Sequence, residues 1–188
     1  MRLINKALSD EDIKNILGGD AKIIKYAELG NLYDIDQLLP AEKDYCIIPY
    51  EDRPNRGHWT ALLKYNNLYE HFDSYGVKPD GELKRIGAKR NRQLHQDEPY
   101  LTQLQKKEEE KYIYNNVGYQ DKDSRVKTCG SHVVHRLYRL KHDNMSLPDY
   151  YHFMKSIKDQ PNVGYDMIVA GFVIRCFGWC IVHQPKRS

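Results

Sequence analysis

Thr128-Cys129-Gly130-Ser131-His132-Val133-Val134-His135-Arg136-Leu137-Tyr138-Arg139-Leu140 is the stretch on which the fold turns. Its apolar residues fall at 133, 134, 137 and 140 with basic ones between them, which is helical spacing. Cys129 therefore sits at or just before a helix N-terminus. Unpaired N–H groups and the positive end of the helix dipole favour a thiolate there over a thiol. A nucleophile also needs a base and a group that orients the base. Ahead of the helix runs a loop, Gln120 to Lys127, rich in Asp and Lys.

Upstream of that loop lie three strand-like runs. Asp44-Tyr45-Cys46-Ile47-Ile48-Pro49-Tyr50 is the first, and Pro49 implies that it ends or meets a sheet edge there. His58-Trp59-Thr60-Ala61-Leu62-Leu63-Lys64-Tyr65 turns through Asn66-Asn67 into Leu68-Tyr69-Glu70-His71-Phe72-Asp73, a predicted hairpin. Lys111 to Asn115 reads as a fourth strand, so the sheet core spans 44–76 and 111–116. Ser9-Asp10-Glu11-Asp12 resembles a capping box and predicts a helix over 9–18, stopped at Gly18-Gly19. Pro79 to Glu110 reads as polar helix in two pieces broken near Pro99. The nucleophile helix covers 129–142, and a C-terminal helical segment covers 148–182. Helix, clustered strands, then helices predict an α+β fold: a central, mostly antiparallel sheet flanked by helices.

The 188 residues are enough for one domain, 1–188, with a sizeable core but not for two. A net charge of +3 is too small by itself to argue for nucleic acid. Met1-Arg2-Leu3 leads straight into polar sequence, so neither a signal peptide nor secretion is expected. Cys46, Cys129, Cys176 and Cys180 lack the spacing of a small disulfide scaffold and read as free thiols in a reducing compartment. Met167 to Val182 is apolar, but it is short and interrupted by Arg175. A buried C-terminal helix is expected, not a membrane span.

His58 begins one strand and Asp73 ends its hairpin partner, so an antiparallel pairing brings imidazole and carboxylate together. Asp73 then orients the ring, and His58 takes the Cys129 proton or pairs with its thiolate. Gln120 offers an amide donor to an oxyanion beside the Cys129 N–H. Trp59 is expected in both the core and the cleft wall. The set describes acyl transfer at an amide or ester carbonyl. His132, His135 and His142 are not paired in the way zinc motifs are, and His132 and His135 read as helix residues satisfied locally. Cys176 and Cys180, with His183 nearby, read as buried thiols in an apolar run. Lys84, Arg85, Lys89, Arg90 and Arg92 form a basic stretch offset by Glu108 to Glu110, expected to be a solvated helix face.

Gly57-His58-Trp59, Phe72-Asp73-Ser74-Tyr75-Gly76, Gln120 and Thr128-Cys129-Gly130 resemble, in wording and order, the adenovirus maturation protease and SUMO-specific protease clan. The likeness covers roughly residues 40 to 140 and is nearest to the capsid-maturation proteases of adenoviruses, virophages and related large DNA viruses. It implies a papain-like cysteine protease fold and a virion or infected-cell location. The implied activity is endopeptidase cleavage of viral capsid or core precursors next to glycine, with catalytic His58, Asp73, Gln120 and Cys129. No cofactor is implied, although an activating peptide is possible by resemblance, as is DNA contact through the basic stretch. Gln120 lies nine positions before Cys129, where six or seven is more usual; Asn115 and Asn116 are the alternatives for its role. A protease of ubiquitin-like proteins, an acyltransferase on the same fold and a non-catalytic binding module remain alternative readings.

Overall fold

Asn66 and Asn67 both take positive φ, 50° and 59°, and turn β2 (Arg56–Tyr65) into β3 (Leu68–Asp73). Such a turn matches the right-handed twist of the two strands it joins. The computed structural model describes residues 5, 7–19, 21–106, 111–123 and 125–183, with the backbone alone for 178–183. β1 (Tyr45–Arg53) pairs antiparallel with β2, and β4 (Tyr112–Tyr114) pairs parallel with β3. The result is a four-stranded mixed sheet in the order β1-β2-β3-β4. Pro49 does not end its strand: it pairs with Trp59 and the ladder continues to Arg53. β1 has no strand on its outer side in that order, where a missing N–H is tolerated.

Both faces of the sheet are covered. Ala61, Leu63, Tyr65 and Phe72 pack with α1 (Asp10–Leu17), α5 (Cys129–Asp143), α6 (Leu147–Lys158) and α7 (Tyr165–His183). Cys46, Ile48, Tyr50, Leu62 and Tyr69 face the other way, against the 3-10 turns Tyr26–Asn31 and Ile35–Gln37 and α4 (Tyr100–Gln105). The fold is α+β in three layers. Ser9 caps α1 through a reciprocal bond pair with Asp12, and Gly18 ends it in the left-handed conformation.

The polar stretch after Gly76 forms α2 (Glu82–Ile86), α3 (Ala88–Gln93) and α4, three pieces and not two. Gly87, at φ 91°, breaks the first from the second, and Pro99 stands before the third. Residues 108–110 lie outside the described residues. The C-terminal segment divides into α6 and α7. Val169, Ala170, Phe172 and Val173 of α7 are buried, while Met167 and Ile174 are exposed. Cys176 is half-buried, and the side chains of Cys180 and His183 lie outside the described residues. No described helix is long and apolar enough to cross a membrane.

α5 is buried almost all round its first two turns, not along one stripe, and Arg136 has no exposure at all. Its guanidinium grips Glu70 of β3 through two bonds of 2.8 and 2.6 Å, and Tyr65 donates to the same carboxylate at 2.7 Å. α5 is thereby pinned to the strand that carries Asp73. Thr128 makes no side-chain cap to α5. A cap contributes about 1 kcal/mol, whereas burying Val133, Val134, Leu137 and Leu140 contributes about 1.5–3 kcal/mol each. Packing, not capping, holds the helix here.

Candidate active site

The antiparallel register pairs Thr60 with Asp73, so His58 stands diagonally across from Asp73, just past the end of β3. Alternation along the strands gives both residues the same face of the sheet. His58 Nε2 lies 3.0 Å from Asp73 Oδ1, with both side chains buried. That oxygen also accepts the Tyr75 N–H at 2.7 Å, and the Tyr75 ring stacks on the imidazole at 4.8 Å between centroids. Asn115 exchanges two bonds with the Asp73 backbone, accepting from its N–H at 2.8 Å and donating to its carbonyl at 2.7 Å. Asn115 therefore holds the strand end and is committed elsewhere than to an oxyanion. Asn116 is exposed.

Two glycines of the motif words are sterically required. A Cβ on Gly57 would meet the Tyr50 carbonyl oxygen at 1.8 Å. Gly76 takes φ 70°, and a Cβ there would lie 2.7 Å from the Val117 backbone. On the far side, Gly130 lets α5 approach to where a Cβ would stand 3.2 Å from both Leu8 and Trp59. That approach brings Cys129, at the first position of α5, to His58. The sulfur interacts with the imidazole and is faced by the backbone N–H groups of Trp59 and Gly130. Because Nε2 is committed to Asp73, Nδ1 is the nitrogen left for the sulfur.

The electrostatics follow. Burial alone raises the Cys129 thiol, but the His58 hydrogen bond and charge, with the two N–H groups, hold it below the usual thiol range. Burial alone lowers His58, but the Asp73 carboxylate, with help from Cys129, raises it well above the usual imidazole value. Burial raises Asp73, and His58 with its hydrogen bond brings it below the usual carboxylate range. Both shifts favour the thiolate–imidazolium pair over the neutral thiol and imidazole. Cys46, buried without such partners, is pushed up to about 12.

Gln120 is buried and its amide is oriented at both ends. Ser74 donates its hydroxyl to Oε1 at 2.8 Å, and Nε2 donates one proton to the Val126 carbonyl at 3.2 Å. An amide nitrogen carries two protons, so one N–H is left over. Trp59 is half-buried, donates Nε1–H to the Leu8 carbonyl at 3.3 Å and lines a cavity of about 430 Å³ with Leu8, Ile23, Pro49 and Arg56.

Three features escaped the sequence. Glu82 is buried beside His58 and Asp73, with ligand-type atoms of the three within 4.8 Å of one another, the one such trio among the described residues. Burial raises its carboxyl, and it pairs with Arg85 at 3.0 Å. Arg85 in turn lies 4.7 Å over the Tyr75 ring. Arg85 thus turns its guanidinium toward the site while staying exposed, as Lys84, Lys89, Arg90 and Arg92 of the basic stretch are. Nor are His132 and His135 satisfied by their own helix alone, although His135 Nε2 accepts from Arg139 Nε one turn on at 3.3 Å. His132 Nε2 bonds Asp166 at 3.0 Å and His135 Nδ1 bonds Tyr150 at 2.9 Å, partners 34 and 15 positions away. Such partners leave no periodic signal in the chain.

Fold and site together define an α+β protein with a buried Cys-His-Asp array at the end of a mixed sheet. The chain belongs to the family of the Sputnik virophage protein titled "Uncharacterized protein V9": the two are 36% identical over 154 residues, covering 81% of this chain and 84% of that protein. No protein-family model matches the chain. Among solved structures it is loosely similar to the central domain of the uncharacterized Lpg1148 protein of Legionella pneumophila. That likeness has a TM-score of 0.44 at 15% identity, covering 90% of this chain and 96% of that one.

Proposed function

We propose that this protein is a papain-like cysteine endopeptidase that trims viral capsid or core precursors next to glycine, within the virion or the infected cell. One observation carries the reading: Cys129 opens a buried helix against His58, whose far nitrogen is bonded to Asp73 at 3.0 Å. The Cys129 thiolate attacks the scissile carbonyl, forming the C–S bond and moving the π electrons onto oxygen. The free N–H of Gln120 and the Cys129 backbone N–H receive that oxyanion. As the tetrahedral adduct collapses, Nδ1–H of His58 protonates the departing amine and leaves an acyl-enzyme. Neutral His58 then takes a proton from water, whose oxygen attacks the thioester, and the thiolate departs. Trp59 stands beside the start of α5, its ring 3.2 Å from where a Cβ on Gly130 would lie, and a cleft wall of this kind suits a substrate glycine.

The test is incubation of the protein with virophage capsid proteins, with new termini mapped by mass spectrometry. The expected cuts follow glycine and vanish in Cys129→Ala and His58→Ala. Cleavage that survives either substitution refutes the assignment.

A further inference from the structure

Asp166 is the second residue of α7, far in sequence from the site, yet it bonds both ends of the loop that joins Gln120 to Cys129. Its Oδ2 accepts the backbone N–H of Asp121 at 2.9 Å, the residue directly after Gln120. Its Oδ1 accepts the hydroxyl of Thr128, the residue directly before Cys129. The same oxygen bonds His132 Nε2 at 3.0 Å, one turn into α5. Thr128 thus spends its hydroxyl on Asp166, not on the N-terminus of its own helix, which has no side-chain cap. Thr128 and His132 are both fully buried, so neither has water as an alternative partner.

We infer that Asp166 is a positioning residue that closes the 121–128 loop and so sets where the Gln120 amide stands relative to the Cys129 sulfur. This rests on the protease reading, because an oxyanion donor matters only when a carbonyl is attacked. Within the loop Gln120 donates to Val126, Asp123 N–H bonds Asp121, and Arg125 N–H bonds Asp123, all of them local contacts. Local contacts shape a loop without fixing it to the body of the protein. Ser74 holds Gln120 from the sheet side, and Asp166 is the group that reaches both loop ends at once. It leaves His58 and Asp73 untouched. The acid–base pair is held by the hairpin, whereas the oxyanion side is held twice, by Ser74 at the hairpin end and by Asp166 of α7.

The experiment compares wild type, Asp166→Ala and Asp166→Asn in three measurements. These are cleavage of a glycine-containing capsid-derived peptide, iodoacetamide alkylation of Cys129, and deuterium uptake of 121–128. Alkylation develops no oxyanion, whereas amide cleavage does. In Asp166→Ala, kcat is expected to fall about 10- to 100-fold with KM little changed. The alkylation rate is expected to hold within about twofold, and exchange to rise in 121–128 alone. Asn keeps one acceptor for Thr128 and His132 but turns a donor toward Asp121 N–H, so its loss of kcat is expected to be smaller; it also serves if the alanine variant does not fold. Unchanged kcat, or alkylation falling in step with kcat, overturns the inference. A wild-type protein that cleaves nothing overturns the protease reading instead. Exchange then still decides the positioning role, and unaltered protection of 121–128 in Asp166→Ala refutes it.

Discussion

Replacing Asp73 by Asn removes one charge and almost nothing else. Tyr75 N–H is a fixed donor at 2.7 Å, so the Asn oxygen must keep the Oδ1 position. His58 Nε2–H therefore still finds an acceptor, and the tautomer that points Nδ1 at the sulfur survives. The new amide nitrogen takes the place of Oδ2, which has no hydrogen-bond partner, with the buried Glu82 carboxyl close by. What disappears is the attraction between carboxylate and imidazolium. With charge spread over the ring and both oxygens the effective separation is about 4 Å, and at an effective dielectric of about 20 the attraction is about 4 kcal/mol. At ~1.4 kcal/mol per factor of ten this allows up to a ~10³-fold loss of the thiolate–imidazolium pair.

The pH dependence has a definite sign. In the wild type the pair persists between the lowered thiol value and the raised imidazole value, so alkylation of Cys129 should vary little with pH between the two. In Asp73→Asn the main opposition to burial is gone and only Cys129 still raises His58, so His58 falls, the thiol rises, and the rate should climb with pH toward ordinary thiol titration. Iodoacetamide labelling read by peptide mass spectrometry isolates Cys129 from the other thiols. A folded Asp73→Asn protein with an unchanged rate and a flat profile would refute the electrostatic account.

Gln120→Ala should lower peptide turnover by about 10²–10³ while leaving Cys129 alkylation unchanged, since only the amide reaction builds an oxyanion; steady-state kinetics beside labelling separates the two. Glu70→Ala leaves Arg136 buried without its bidentate partner. Such a loss costs about 3–5 kcal/mol, and a denaturant midpoint indistinguishable from wild type would contradict it.

Much of the site was legible because its parts lie at the ends of regular elements. Alternation along 58–65 and 68–73 with an Asn-Asn turn sets the hairpin register, and the register alone places His58 diagonal to Asp73. Helical spacing after Cys129 places the sulfur at a helix start. What stayed hidden were side chains whose partners lie far along the chain: Glu82 beside the His58–Asp73 pair, Asn115 on the Asp73 backbone, Asp166 on the loop, and Arg136 buried on Glu70. Arg136 in particular reads as a solvated basic residue between apolar ones, and only its carboxylate partner makes its complete burial affordable.

Local periodicity and turn chemistry determined which residues form strands and helices and which side chains share a face, because those follow from backbone geometry over a few residues. Tertiary packing decided the rest. β2 runs past the end of β3, and α5 comes close enough at Gly130 to meet it, so a sulfur from one layer reaches an imidazole on the opposite face of the sheet. No pattern in the chain encodes that meeting, because it depends on how densely two faces pack and on where one strand stops.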